Sequence, residues 1–295
     1  MRVTGSMQNM QLLGNLRNIN ESMTQGQNQL ATGQRITRPS DDPIGVGYQM
    51  RYDTDLDRSD EFLNNAQTGT EILKTMDTLL QQASDVMKRA RTLTLQAANG
   101  NYDAEQRKAI SLEIKQLKEQ LVTIGNSTYN GRFLFNGQKT DQAPYTVANA
   151  ASEPTDSGLF YLYVSPSVKV PVSITGEEIF GQAGTDNAFQ VLDDLATALD
   201  ANNSAGISAS LDKIDDSADR FSLGWAEIGA RMNRFELMEN RITSEQANLK
   251  EMRANVADVD VPTAITDLKM KEVVLQSALS TGARIMQTSL LDFLR

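Results

Sequence analysis

Apolar residues recur at helical spacing over two long stretches of this chain, on either side of a shorter stretch with a period of two. From Phe62 the positions three and four apart read Phe62, Ala66, Gly69, Leu73, Met76, Leu80, Ala83, Met87, Ala90 and Thr94, and only the last is polar. A 3.5-residue period held this long is the coiled-coil signal. Asp42 before Pro43 supplies an N-cap with proline at the first helical position, so this helix starts near Pro43 and ends at Asn99-Gly100. At 1.5 Å per residue such a rod is about 80 Å long. The second long stretch runs from Ile207 to about Val256, with Ile228, Phe235, Ile242, Leu249 and Val256 at seven-residue intervals.

Shorter elements surround these rods. Residues 5–32 read as a first helix, stopped by Gly33 and by Pro39. A helix from about Asp103 to Gly125 carries Ile110, Ile114, Leu117, Leu121 and Ile124 on one face. Between Arg132 and Gly184 the period shortens: Leu159 to Val164 is a strand-like run, and Val168, Val170, Val172 and Ile174 alternate with Lys169, Pro171 and Ser173. Pro171 marks that strand as an edge. Helical spacing resumes at Ala188, and a terminal helix from about Thr263 places Leu268, Leu275, Leu279, Met286 and Phe293 on one stripe.

The pattern predicts a mainly α fold with a small inserted β domain, its long antiparallel helical rods forming a coiled-coil bundle. Three domains are expected: residues 1–40 with 264–295 as terminal helices, 41–131 with 186–263 as the rod domain, and 132–185 as a β-rich outer domain. Phe62, Leu73, Met76, Leu80 and Met87 are expected to pack against Ile228, Phe235, Ile242, Leu249 and Val256.

Charge changes the reading of the two ends. The first 34 residues carry only Arg2, Arg17 and Glu21, and Val273 to Leu291 carries only Arg284. A surface helix puts charges on its outer face. Here that face is amide and hydroxyl, which packs against protein without the several kcal/mol that an unpaired buried ion costs. Both ends therefore read as helices built to be surrounded by neighbours, with Leu16, Met23, Leu30, Leu275, Leu279 and Met286 as assembly residues.

The 295 residues are 40% hydrophobic and 22% charged, with a net charge of −10. An acidic chain is a poor partner for nucleic acid, and no apolar run is long enough to insert in a membrane. No basic segment followed by an apolar one precedes residue 20, so no secretory signal is expected. The chain has no Cys and no His. That removes thiol nucleophiles, disulfides, the usual zinc ligands and the commonest general base, and no cofactor is expected.

Three short motifs invite chemistry. Asp53, Asp55 and Asp57 open like a calcium loop, but Arg58 and Asn64 occupy the positions that need Gly and Glu. Ser40-Asp41-Asp42 offers a carboxylate pair, with a cap and turn before Pro43 as the simpler reading. Lys88-Arg89-Ala90-Arg91 is a basic patch on the polar side of the first rod, read most simply as an exposed helix face, with anion binding or contact of Arg89 and Arg91 with a neighbouring subunit as the alternatives.

Four segments resemble the bacterial flagellin superfamily: Leu30 to Ile36 with Ser40-Asp41-Asp42-Pro43 and Gly45; Arg89 to Gly100, continuing through Arg107, Ile110, Glu113 and Leu117 to Tyr129-Asn130-Gly131; Ile228 to Arg231 with Asn240-Arg241; and Asp258-Val259-Asp260 with Leu290-Leu291. Within the superfamily, Gly131 to Thr140 with Pro144-Tyr145, Val168 to Phe180, and the ending Asp292 to Arg295 are similar to the hook-associated junction proteins more than to filament subunits. Thr92 departs from the Glu common in flagellins, and Ala31 from a Ser. The resemblance implies a non-enzymatic structural subunit, exported without a cleaved signal and placed outside the cell in the flagellum. Its implied partners are further copies of itself in a ring, another hook-associated protein, flagellin and an export chaperone. The alternative is flagellin itself, the repeating filament subunit.

Overall fold

A computed structural model describes residues 5–99 and 102–293, without the side chains of residues 5, 6, 8, 9 and 285–293. Helices α1 (Gly5–Thr32), α2 (Pro43–Ala98) and α3 (Ala104–Gly125) precede two short hairpins, β1 (Thr128–Tyr129) with β2 (Arg132–Phe133) and β3 (Tyr161–Ser165) with β4 (Val168–Pro171). Helices α4 (Gly176–Phe180), α5 (Ala188–Asp200), α6 (Ser204–Ala257) and α7 (Val261–Phe293) complete the chain. The chain divides into two compact units, residues 59–244 and the remainder on either side.

Local chemistry sets the helix ends. The Asp42 carboxylate accepts the Gly45 amide at 2.9 Å and caps α2. Asp103 and Gln106 form a reciprocal capping box at α3, and Thr175 with Glu178 does the same at α4. Asn187 caps α5. The turn between β1 and β2 is Asn130-Gly131, with φ of 50° and 77°. These left-handed values suit the tight turns whose twist matches a hairpin, and Asn and Gly tolerate them best.

In the 59–244 unit the 3.5-residue seam of α2 is the core. Ala66, Leu73, Met76, Leu80, Ala83, Met87, Ala90, Leu93, Thr94 and Ala97 are all buried. Helix α6 answers antiparallel with Ile207, Ile214, Phe221, Ile228, Phe235 and Ile242. The register is fixed by Arg91 against Asp215, Asp77 against Trp225, Leu80 beside Gly224 and Gly69 against Phe235. It differs from the expected pairing. Met87 lies beyond Leu80 on the way to Arg91, so it faces the Asp215–Gly224 stretch and not Ile228 to Val256. The reason is that α6 begins at Ser204 and carries its seam back through Phe221, Ile214 and Ile207. Phe62 is half-buried, as are Leu249 and Val256, which belong to the other unit.

The β segment is not a separate domain as expected for 132–185. Phe135, Tyr145 and Phe180 pack with Phe189 of α5 and Phe221 of α6, with ring centroids 4.7 Å apart for Tyr145–Phe189 and 5.2 Å for Phe180–Phe189. Two-stranded sheets are marginal alone, so these hairpins rest on a shared core. β3 and β4 pair antiparallel, with Tyr161 opposite Pro171 and Leu162 opposite Val170, and the register shifts between Tyr163 and Ser165. α3 packs along α5.

In the other unit α1 and α7 run antiparallel. A Cβ on Gly26 would touch Leu268 at 3.7 Å, one on Gly282 would press on Leu12, and Lys271 Nζ donates to the Ser22 carbonyl at 3.2 Å. Small residues thus face large ones along the seam. The boundary of this unit lies inside α2 and α6, at 58/59 and 244/245, and not at the expected 40/41 and 263/264. The physical link that draws in the start of α2 and the end of α6 is the segment around Arg35.

Candidate assembly surface

Arg35 organises the junction of α1, α2, α6 and α7 inside the terminal unit. Its backbone amide donates to the Ala257 carbonyl at 2.7 Å, and its guanidinium donates to the Val256 carbonyl at 2.7 Å. Those are orphan carbonyls at the end of α6. The same guanidinium pairs with Asp42 at 3.1 Å, and Gln29 Nε2 donates to the Arg35 carbonyl at 2.7 Å. The Val259 amide donates to the Gly33 carbonyl at 3.0 Å. Asp41 accepts from the amides of Thr37 and Arg38 and from the Thr37 hydroxyl. The pair Asp41-Asp42 is therefore committed to a turn and a cap. The Asp42 carboxyl is held below the usual aspartate value, first by the Gly45 amide and next by Arg35.

What this unit lacks is an interior. Among its described side chains, the fully buried apolar residues are Ile36 and Ala257. Leu16, Met23, Leu30 and Leu275 of the expected assembly set are half-buried on the α1–α7 seam, Leu279 is exposed, and the Met286 side chain lies outside the described residues. Large apolar side chains stand outside instead: Met10 is 66% exposed, Ile44 73% and Val273 62%. Met7, Leu13, Tyr48, Met50, Ile265, Met270 and Val274 join them. Single exposed apolar residues are ordinary, but a dense set beside so small a core marks a surface awaiting protein.

The basic patch forms ion pairs within the chain. Arg89 pairs with Glu113 of α3 at 2.7 Å, and Arg91 donates to both carboxylate oxygens of Asp215 on α6 at 2.6 and 3.2 Å. Lys88 pairs with Asp85 at 3.1 Å. Arg89 and Arg91 thus clamp α3 and α6 to α2 within one chain, while both side chains stay about half exposed. The pair Arg89–Glu113 forms because α3 folds back along α2, a relation of residues 24 apart that no local pattern announces.

The remaining motifs are structural. Asp53 pairs with Arg253 at 2.5 Å and Asp55 with Arg58 at 3.9 Å. Among the described residues no cluster of acidic side chains could hold a metal, and no helix is long and apolar enough to cross a membrane. A cavity of about 690 Å³ lies in the 59–244 unit, floored by Ile72, Met76, Leu134 and Val172 and rimmed by Asn130, Arg132 and Gln138. Its ionisable lining residues are Tyr129 and Arg132.

Residues 3–140 match the bacterial flagellin N-terminal helical region, and residues 211–294 match the bacterial flagellin C-terminal helical region. The chain belongs to the bacterial flagellin superfamily. Flagellar hook-associated protein 3 of Salmonella typhimurium is 23% identical over 317 residues, covering 100% of both chains. A flagellin of Listeria innocua is 25% identical over 274 residues, covering 92% of this chain and 91% of that one. The solved structure of a flagellar hook-associated protein from Vibrio parahaemolyticus superposes with a TM-score of 0.69 at 24% identity, covering 74% of this chain and 100% of that one. In this flagellin-superfamily chain the matched regions hold both apolar termini and most of the two long helices, while the stretch from 141 to 210 lies between them.

Arg35 and its carbonyl partners were not singled out from the sequence, although Leu30 to Ile36 carried part of the resemblance. The available signal was an arginine between a helix-ending Gly33 and a capping Asp42.

Proposed function

We propose that this chain is a structural, non-enzymatic subunit of the bacterial flagellum. It forms an adaptor ring between the hook, reached through another hook-associated protein, and the flagellin filament. The observation that carries the reading is the terminal unit: a helical pair with almost no interior and a dense apolar exterior. Such a unit gains its burial from neighbours. End-to-end similarity to a hook-associated protein 3 supports the junction position over a generic filament position. On this reading the protein works outside the cell and needs no cofactor. Its export chaperone covers the apolar ends before assembly.

The test is deletion of the gene with microscopy and analysis of the medium. Loss of a junction subunit leaves hooks without filaments and releases flagellin into the medium. Loss of flagellin leaves bare hooks and no released flagellin. The second reading, filament flagellin, is favoured by the Listeria similarity over 92% of the chain. It predicts that purified protein polymerises into long filaments, where a junction subunit stops at short rings.

A further inference from the structure

Helix α6 carries two seams. One faces α2. The other lies on the opposite side and is empty: Leu223, Ala226, Ala230, Asn233, Leu237 and Asn240 are spaced three and four apart, and all are exposed. Leu223 is 72% exposed and Leu237 68%. No charge interrupts this line, whereas an ordinary outer face is charged. A leucine at each end of such a stripe, with small residues between, is the pattern of a helix–helix contact.

We infer that this outer seam of α6 binds the same seam of a second copy, antiparallel, across a two-fold axis near Ala230 to Asn233. Self-complementarity argues for that occupant. Turning the stripe end for end sets Ala226 opposite Leu237 and Ala230 opposite Asn233, so small residues meet larger ones. Charge follows the same symmetry. Asp219 comes within a turn of Arg241 of the second copy. Among the described residues Arg241 and Asp219 form no ion pair or side-chain hydrogen bond within their own chain, whereas Glu227 is held by Arg231 at 2.8 Å. Unpaired charges of opposite sign at the two ends of an uncharged stripe steer an antiparallel match and disfavour a parallel one.

The contact is separate from the terminal unit and goes beyond the junction role. A two-fold contact closes on two copies, whereas a ring around an axis needs head-to-tail contacts. The pair is therefore a state of the unassembled subunit, in which Leu223 and Leu237 are covered before incorporation.

The absence of cysteine in the chain makes the test clean. Nitroxide labels on Glu236→Cys, Ser222→Cys and Asp212→Cys in the full chain report spin–spin distances between copies. Antiparallel pairing predicts that the distance rises in that order, by about 3 Å for each residue moved from the centre, since each helix contributes 1.5 Å per residue. Equal distances at the three sites, as a head-to-tail contact gives, or no dipolar coupling at millimolar protein, overturn the inference. Leu237→Asp should abolish the coupling while leaving the melting temperature of dilute protein unchanged. Arg241→Glu should weaken pairing at least tenfold, and Asp219→Arg with Arg241→Glu should restore it. No recovery in the double variant removes the proposed register. Filament attachment in the deletion strain is a separate readout, so failure of either reading leaves the other standing.

Discussion

Gly69 of α2 lies flat against the ring of Phe235 of α6: a Cβ at position 69 would stand 2.6 Å from both Cε1 and Cζ. Phe235 is fully buried, so the ring has little room to retreat. Glycine within a helix costs about 1 kcal/mol relative to alanine, yet here its missing side chain makes room for the Phe235 ring. Overpacking costs about 1–3 kcal/mol. Gly69→Val should therefore lower stability by about 2 kcal/mol in denaturant titration despite removing a helix-weakening glycine. Gly69→Ala combined with Phe235→Leu should recover most of the loss. A Gly69→Val protein with raised stability would refute the assignment of this contact as the register pin.

The sequence made most of this seam legible and Phe235's role in part. The 3.5-residue stripe from Ala66 to Thr94 coincides with the buried face because one periodicity serves one partner along the whole length. The fold class, the start of α2 at Pro43 and the ends of α1 followed from caps and breakers for the same local reason. The pairing register of α2 with α6 did not, since heptads slide against each other and one setting is selected by the fit of Gly69 to Phe235 and by the pairs Arg91–Asp215 and Asp77–Trp225. The inner hairpin at Asn130-Gly131 could have been read from its dipeptide. The sharing of one aromatic core by Phe135, Tyr145, Phe189 and Phe221 could not, because it joins residues far apart in the chain. Arg89 and Arg91 looked free because their carboxylates come from α3 and α6.

Tyr145 supplies a second prediction. Among the described residues its buried hydroxyl has no partner in hydrogen-bonding geometry, and it lies next to Gly176, whose absent side chain makes room for it. An unsatisfied buried polar group costs about 1–3 kcal/mol. Tyr145→Phe keeps the ring contacts with Phe180 and Phe189 and removes that group. The variant should be more stable by about 1 kcal/mol at neutral pH, as measured by chemical denaturation.

The same residue predicts alkaline behaviour. Burial first, then the charge of Glu177, pushes the Tyr145 phenol well above its ordinary value of 10.0. The folded state holds the proton that the unfolded state loses above about pH 10. A group raised in the folded state contributes its stability in full below the unfolded value and loses it as pH rises beyond. Stability should therefore fall above pH 10. Tyr129, raised by its hydrogen bond to Glu71, acts in the same direction. Tyr145→Phe should flatten that fall, and Tyr145→Phe with Tyr129→Phe should flatten it further. An unaltered slope in the double variant would count against both assignments.

Asp42 works with the opposite sign. Its carboxyl is lowered by the Gly45 amide and Arg35, so its contribution is present above the ordinary aspartate value of 3.8 and is lost as pH falls below it. The group is only partly buried, so the effect is local. Amide exchange at Gly45 and Val46 should accelerate below that pH, and Asp42→Ala should show the fast exchange already at neutral pH. Melting of the 59–244 unit should be unaffected in both cases.

The last prediction concerns where stability resides. Trp225, the one tryptophan, donates its indole N–H to Asp77 inside the 59–244 unit. It therefore reports on that unit alone. Nearly all buried apolar side chains lie there, and the terminal unit has Ile36 and Ala257 as its described buried apolar residues. Burial of apolar area is the main favourable term in folding, at about 25 cal/mol per Å². Isolated helices without a buried partner are marginal in water. A fragment of residues 59–244 should therefore melt cooperatively by Trp225 fluorescence, within a few degrees of the full chain. Limited proteolysis of dilute full-length protein should cut first within 5–40 and 264–284 and accumulate a core containing α3, α5 and both hairpins. Leu80→Asp, which places a carboxylate in the buried seam, should unfold that core, since an unpaired buried charge is far costlier than a lost contact. If the fragment loses the Trp225 transition while the full chain keeps it, the terminal helices supply stability that their surface does not display. The apolar exterior would then be a folding element of the single chain and not a surface held ready for neighbours.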